Sequence, residues 1–353
     1  MDKILLVKTS ALGDIIHTFP VLDYLRKKFP SAQIDWVVEA PFADLLRAHP
    51  AIDHVLTVET KVWRKKIFND ETIKSIRTFR NQLRQVSYDV VFDLQGNAKS
   101  GLVVSQSRSP IKVGFGKKSV PEWPNMLFTN HRINPEQQEN IRHDYLALAT
   151  SFFNDSIIPL SANVKLLISP EQQAIVEAVM HGRTKDQPSV VVCPGSAWRN
   201  KQLTTETLKA FLSLLKDYLG CHFLFIWGST EEKCTAEELQ AEFLDSSKVI
   251  DKMPLSVLQN LMEACDLVVA MDSLPLHLAG TTKTPSFSLF GASSALKYKP
   301  VGVLHHAMQG SCPYGRTFVK RCPILRTCPT GACIRDLKAI EIFESFKSWW
   351  SSR

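Results

Sequence analysis

Short strand-like runs rich in apolar residues recur along this chain, with helical stretches between them. Ile4-Leu5-Leu6-Val7 comes first; Ile34-Asp35-Trp36-Val37-Val38, His54-Val55-Leu56-Thr57-Val58 and Asp89-Val90-Val91-Phe92-Asp93-Leu94 follow. A continuous apolar run suits a strand buried on both faces of a parallel sheet. Behind the first run, Ile15, Ile16, Phe19, Leu22, Leu25 and Phe29 recur at spacings of three and four, with Asp23, Arg26, Lys27 and Lys28 between them. That stripe predicts an amphipathic helix lying on the sheet. Ile73, Ile76, Phe79 and Leu83 mark another between Ile73 and Val86. Strands alternating with helices predict a doubly wound parallel α/β sheet, whose ligands sit beyond the carboxyl ends of the strands.

The pattern restarts in the second half. Ser189-Val190-Val191-Val192-Cys193, His222 to Ile226, Lys248-Val249-Ile250, Leu267-Val268-Val269-Ala270 and Pro285 to Phe290 read as strands. From Ser107 to Pro135 the text is irregular, with Pro110, Gly114, Gly116, Pro121 and Pro124, and is expected to be mostly loop. A helix is expected from about Gln138 to Phe152, and a linker within 154–169. At 353 residues the chain has room for about two domains. The expected division is 1–165, 166–335 and a terminal helix in 336–353. The helix's stripe of Leu337, Ile340, Ile342, Phe343 and Phe346 suits packing back on the first domain. Two such domains leave a cleft between them, with the loop set led by Asp14 facing another led by Gly195, Trp227 and Asp272.

Composition narrows the function. With 44% hydrophobic and 22% charged residues the chain is globular rather than disordered. No apolar run approaches the roughly 18 residues that span a bilayer, and the N-terminus enters a strand with no signal-peptide pattern, so a cytosolic location is expected. A net charge of +7 suits a phosphate-bearing ligand, an anionic membrane surface or nucleic acid. The eight cysteines read as thiols. Cys193, Cys221 and Cys265 fall in or beside apolar segments. Cys312, Cys322, Cys328 and Cys333 cluster at spacings of ten, six and five, without the Cys-x2-Cys pairs of common zinc sites. They read as part of a surface loop rich in Cys, Pro and Gly, with a structural metal as the lesser alternative and no metal assigned.

The loops carry the chemistry. Lys8-Thr9-Ser10-Ala11-Leu12-Gly13-Asp14 links the first strand to its helix. Gly13 permits close backbone approach, and Asp14 sets a carboxylate at the helix mouth, either as a partner of the helix dipole or as a general base. Lys61-Val62-Trp63-Arg64-Lys65-Lys66-Ile67-Phe68 gathers cations beside aromatics after a strand end, either as a solvated face or as an anion contact. In the second half, Lys201 lies in a small-residue loop leading to a helix start, where a cation and free N–H groups together suit a nucleoside diphosphate. Glu232 suits ribose hydroxyls, and Asp272, Ser273 and His277 follow another strand end. The bland alternatives are a surface cation at Lys201, a helix cap at Asp272 and a core histidine at His277. No Gly-x-Gly-x-x-Gly follows the first strand, and no Gly-x4-Gly-Lys-Ser/Thr, His-Glu-x-x-His or Asp-x-Asp occurs. Dinucleotide, P-loop and metal-dependent readings lose ground accordingly.

Lys8 through Pro20 resembles the N-terminal signature of the lipopolysaccharide core heptosyltransferases, the ADP-heptose glycosyltransferase family, most of all its heptosyltransferase I branch. The likeness continues through Asp35-Trp36-Val37-Val38-Glu39, Trp63-Arg64-Lys65, Asp93-Leu94-Gln95-Gly96 with Lys99-Ser100, Trp227-Gly228, and Asp272-Ser273 with His277. It implies a GT-B fold, two doubly wound Rossmann-like domains facing each other across a cleft. It also implies inverting, metal-independent transfer of heptose from ADP-L-glycero-D-manno-heptose to Kdo on lipid A, with no cofactor and no nucleic-acid partner. By the same resemblance Asp14 would be the base, and Ser196, Lys201, Glu232, Met253, Asp272, Ser273 and His277 would bind the donor. Ser10, Gly13, Lys61, Arg64 and Lys65 would bind the acceptor, at the inner face of the cytoplasmic membrane. The pattern is departed from at three sites: Leu274 stands where the family has glycine, Ser196-Ala197 where it has a threonine pair, and Pro121 where it has a basic residue. The Cys-rich tail, Cys322 to Asp336, is more similar to other branches, including heptosyltransferase II. The alternatives are such a heptosyltransferase II-like enzyme, another nucleotide-sugar transferase of this fold with a different acceptor, and an idle anionic-glycolipid-binding protein.

Overall fold

The computed structural model describes residues 1–66, 68–156, 163–182 and 186–353. The chain divides into two units, Met1–Ser161 and Ala162–Arg353. That division falls inside the stretch expected to be a linker, of which residues 157–162 lie outside the described residues.

The first unit is built on β1 (Lys3–Val7), β2 (Gln33–Glu39), β3 (His54–Val58), β4 (Val90–Asp93), β5 (Ile111–Phe115) and β6 (His131–Ile133). They form one parallel sheet in the order β3-β2-β1-β4-β5-β6. From β1 the chain winds outward to β3, then crosses back to β4 and winds the other way, so the strand order reverses between β1 and β4. Ile4 to Val7 are fully buried, with Leu5 and Val7 packing among Val37, Val91, Phe79 and Leu83. The helix expected from Ile15 to Phe29 is broken into Leu12–Ile16 and Phe19–Lys28. Pro20 has no N–H to offer the preceding turn and opens the second piece, while the Thr18 hydroxyl donates to the Ile15 carbonyl at 2.6 Å.

The stretch 107–135, expected to be mostly loop, contains β5 and β6. Both escape the apolar pattern because they lie toward the sheet's edge: β5 carries Lys112 and Gly114, and β6 is only His131-Arg132-Ile133.

The second unit repeats the scheme with β7 (Ser189–Cys193), β8 (His222–Phe225), β9 (Ser247–Val249), β10 (Leu267–Met271), β11 (Ser286–Phe290) and β12 (His305–Gln309). The order is β12-β11-β10-β7-β8-β9, again all parallel, with the reversal between β7 and β10. The polar edge strand β12 was not visible in the apolar pattern.

The terminal helix Ala339–Ser351 corrects an expectation. Its face of Ile342, Phe343, Phe346 and Trp349 belongs to the second unit's own core, with Phe211, Leu215 and Phe287, not to the first unit. The Phe346 ring meets Phe287 edge-on at 5.4 Å between centroids, and Trp349 stacks on His306 of β12 at 5.7 Å. A strand rich in His and Gln needs such an aromatic cover to hold its inner face dry. Among the described residues no helix is long and apolar enough to cross a membrane.

Candidate active site

In the first unit the loop leaving β1 reaches the sheet's switch point. Asp14 lies in the first turn of the helix Leu12–Ile16, which has no side-chain cap. It is half-buried and enters no hydrogen bond or ion pair among the described residues. Ser10 and Gly13, also half-buried, flank it. Lys8 lies beneath at 2% exposure, its ammonium donating to the Tyr145 hydroxyl at 2.9 Å. Burial pulls the Lys8 amine down to about 8, against the opposing pull of the Asp14 and Asp93 charges.

The backbone of this loop is clamped from β4. Gln95 Oε1 accepts the Thr9 and Ser10 N–H groups, each at 3.1 Å. Gln95 is itself held by Asp93, whose Oδ1 accepts the N–H groups of Gln95 and Gly96 at 3.0 and 2.9 Å. The other Asp93 oxygen accepts from Ser100 Oγ at 2.8 Å and Asn125 Nδ2 at 2.6 Å. Burial raises the Asp93 pKa, and these four donors oppose it. Gly96, at φ +72°, is pressed by Pro121, whose Cδ would stand 2.6 Å from any Cβ there. Pro121 therefore packs the clamp and offers no charge.

Lys61, Arg64 and Lys65 stand exposed on the helix Thr60–Lys65, which follows β3 and so lies on the same carboxyl edge as Asp14. Trp63 turns inward from this helix, donating to Ser75 Oγ at 3.2 Å and meeting Phe79 at 5.8 Å. Thr60 donates to Glu39 at the end of β2. The cations are thus free to face solvent while their helix is anchored.

In the second unit the expected donor residues occupy the loops and opening helical turns after β7, β8, β9 and β10, one carboxyl edge. Four of them meet directly. Lys201, at the end of a short helical turn Arg199–Lys201, is buried and donates to Asp272 Oδ2 at 2.5 Å. Ser196 Oγ donates to the Asp272 carbonyl at 3.1 Å, and His277 Nε2 lies 3.6 Å from Asp272 Oδ1. Ser293, which the sequence did not single out, donates to the same carboxylate. Burial alone would raise the Asp272 pKa; Lys201, His277 and the bonds from Lys201 and Ser293 outweigh it and hold the carboxyl below its ordinary value. Lys201 is neither a surface cation nor an unshared one, and Asp272 is not the helix cap.

Ser273, half-buried, is the N-cap residue of the helix Leu274–Ala279, yet its hydroxyl donates back to the Met271 carbonyl at 3.2 Å and caps nothing. Leu274 follows it half-buried. Glu232 accepts the N–H groups of Gly228 and Ser229 at 2.7 and 3.2 Å and fills the space over Gly195, where a Cβ would lie 2.3 Å from its carboxyl carbon. Met253 is half-buried and stands apart from these bonds. Trp227, flanked by the Lys233 and Lys252 ammonium groups, has a buried Nε1 without a partner among the described residues.

Two carboxyl edges of two like sheets, one presenting an unpartnered aspartate and one a buried lysine–aspartate pair, agree with what known proteins indicate. The model of glycosyltransferase family 9 (heptosyltransferase) matches residues 76–327. The chain belongs to that family. It is 30% identical to lipopolysaccharide heptosyltransferase 1 of Campylobacter coli over 84% of this chain and 85% of that protein. It is 28% identical to the Pseudomonas aeruginosa protein of the same name, over 83% and 79%. The solved structure of E. coli heptosyltransferase WaaC with ADP superposes with a TM-score of 0.80 at 23% identity, covering 98% of this chain and 99% of that one.

The fold is therefore GT-B and the protein a glycosyltransferase of family 9. Within it, sequence reasoning missed the supporting residues. Gln95 and Asp93 lie in a stretch that carries the family likeness, but their role depends on a contact between two loops more than eighty positions apart, which no local pattern encodes. Lys8 stood in the signature itself; its position beneath Asp14 follows from β1 being buried on both faces.

Proposed function

We propose that this chain transfers heptose from ADP-L-glycero-D-manno-heptose to a Kdo hydroxyl of the lipopolysaccharide inner core, inverting the anomeric centre. The observation that carries the reading is the half-buried, unpartnered Asp14 carboxylate, on a loop clamped by Gln95 and above the buried Lys8. A base must keep a lone pair free for the acceptor proton, and a clamped loop holds that lone pair in place. Asp14 takes the proton as the hydroxyl attacks the anomeric carbon and the bond to ADP breaks. ADP is a good leaving group, so no second carboxylate is needed. The names of the curated relatives supply the substrate class.

The second unit contributes the donor contacts. Ser196, Lys201, Glu232, Met253, Asp272, Ser273 and His277 hold ADP-heptose, with Glu232 accepting from ribose. Lys201 reaches the diphosphate while remaining shared with Asp272, so the pair polarises rather than separates as charge develops. Ser10 and Gly13 line the acceptor side. Lys61, Arg64 and Lys65 hold the acceptor's phosphates and carboxylates and rest against the anionic inner face of the cytoplasmic membrane.

The test is ADP release from ADP-heptose with Kdo-lipid A, comparing wild type with Asp14→Asn, together with the anomeric configuration of the product. Acceptor-dependent release that is lost in the variant, with an inverted product, is expected. Full release by Asp14→Asn would remove the base assignment; a retained configuration would remove the single displacement.

A further inference from the structure

Residues 311–330 contain no helix and no strand, and Leu325 is the one buried side chain among them. So little apolar burial cannot by itself order such a stretch against the entropy of its chain. Beside the half-buried Phe318 and Ile324, four thiols converge. Cys312, Cys322, Cys328 and Cys333, all unpaired and half-buried, line a single cavity with Tyr314 and Arg316.

The backbone around them is tightly set. The Gly331 N–H donates to Cys328 Sγ at 3.4 Å. Gly331 has φ +62°, and a Cβ there would stand 2.7 Å from Asn200 Oδ1. The Cys322 N–H is held by the Ala292 carbonyl at 2.8 Å and the Cys328 N–H by that of Ile324 at 2.7 Å. A backbone N–H aimed at a cysteine sulfur stabilises the thiolate form, which is the form that ligates metal.

We propose that Cys312, Cys322, Cys328 and Cys333 ligate a thiophilic metal centre that staples this segment. On ligation each thiol releases its proton to solvent and binds as thiolate. The four cysteines line the cavity, and among the described residues no three His, Cys, Asp or Glu side chains stand together as a ready ion site. A single zinc or iron ion therefore draws the sulfurs inward to about 2.3 Å from the metal. An iron–sulfur cluster, also held by four cysteines, spans a wider ring.

The staple bears on the donor edge. Asn200 Nδ2 donates to the carbonyls of Leu325 and Cys328 at 2.8 and 2.9 Å, fixing the turn that carries Lys201. On the other side Arg321 bridges to Ser293, the residue that donates to Asp272. The segment thus braces both the lysine and the serine that hold Asp272, and its centre is a positioning device, not a catalytic one.

The experiment is metal and acid-labile sulfide analysis of the full chain, purified anaerobically under thiol reductant, beside Cys328→Ser, Cys322→Ser and the exposed Cys234→Ser. One metal centre per chain is expected in wild type and Cys234→Ser, and its loss in the other two variants. Zinc or iron without sulfide identifies a single ion; iron with sulfide identifies a cluster. Stripping the wild-type centre with a chelator should open residues 311–330 to limited proteolysis, a readout that stands even where the cysteine variants fail to fold. Wild type that stays folded but metal-free after anaerobic incubation with Zn2+, or with Fe2+ and sulfide, would overturn the proposal. So would metal retained in both Cys328→Ser and Cys322→Ser, or disulfides recovered in place of free thiols.

Discussion

The two units wind their sheets in the same order, and each brings an aspartate to the point where that order reverses, but they hold the two carboxylates in opposite ways. Around Asp14 the backbone is fixed, by Gln95 on Thr9 and Ser10, and the side chain is left alone. Around Asp272 the side chain itself is held, with Lys201 and Ser293 both donating to Oδ2 and His277 approaching Oδ1, at 4% exposure. A group that exchanges a proton in every turnover needs an open lone pair. A group that must remain ionised is better buried beside a cation that donates to it. On the proposed function, one edge of the fold is thus arranged for chemistry and the equivalent edge for rigidity.

The contrast is tested most severely by neutralising each carboxylate in turn. Asp14→Asn is expected to lower turnover by about 10²–10⁴, the ordinary worth of a general base, while its thermal midpoint and ADP affinity stay at wild-type values. Asp272→Asn leaves the Lys201 ammonium buried beside a neutral amide. Breaking a buried pair from one side costs about 3–5 kcal/mol, so this variant should unfold at markedly lower denaturant concentration. Equal loss of stability in both variants, followed by urea titration, would erase the difference between the two edges.

How far these edges could be read beforehand depended on burial. β1, β2, β4, β7, β8, β10 and β11 announce themselves because both faces are covered and their residues are mostly apolar. β5, β6 and β12 do not, since near an edge Lys112, Arg132 and His306 are tolerated. The terminal helix was legible as a helix from its stripe, but a stripe says only that something covers it. That β12 and Phe287 need the cover is a fact of the second sheet. In the site, residue types at loop positions pointed to Asp14 and Lys201, and the family likeness supplied their roles. The Lys201–Asp272 and Gln95–Thr9 bonds join loops far apart in the chain, and periodicity carries no record of such partners.

Gln95→Ala sharpens the comparison at the next level. It removes the acceptor of two backbone N–H groups, a loss of about 1–3 kcal/mol when such groups are left unsatisfied. If the clamp serves the base, kcat should fall while the KM for ADP-heptose holds, because the donor edge lies in the other unit. A rise in donor KM with unchanged kcat would separate Gln95 from Asp14.

Lys8 gives the first edge a pH signature. Its amine sits at about 8 in the folded chain against an ordinary 10.5. Between those values the unfolded chain binds more protons, so unfolding free energy rises with pH across the window and declines as pH falls through 8. Urea midpoints of wild type should therefore climb from pH 7.5 to 9.5 more steeply than those of Lys8→Met. Parallel slopes would mean that the amine is not desolvated beneath Asp14.

The smallest effect is expected where the first edge meets solvent. Arg64 and Lys65 are exposed, and their helix is held by Trp63, so Arg64→Ala with Lys65→Ala should leave stability unmoved. Each exposed cation near an anionic surface is worth about 1 kcal/mol, or roughly fivefold in acceptor KM per residue. That increment is Coulombic across water, and it must shrink as added salt shortens the screening length. Acceptor KM for the double variant and wild type should accordingly converge with rising ionic strength, while Asp14→Asn keeps its deficit at every salt concentration. A KM difference indifferent to salt would mean that these side chains make close, desolvated contacts. An absence of any difference would leave the cations as a solvated face and return acceptor binding to Ser10, Gly13 and the loop that Gln95 holds.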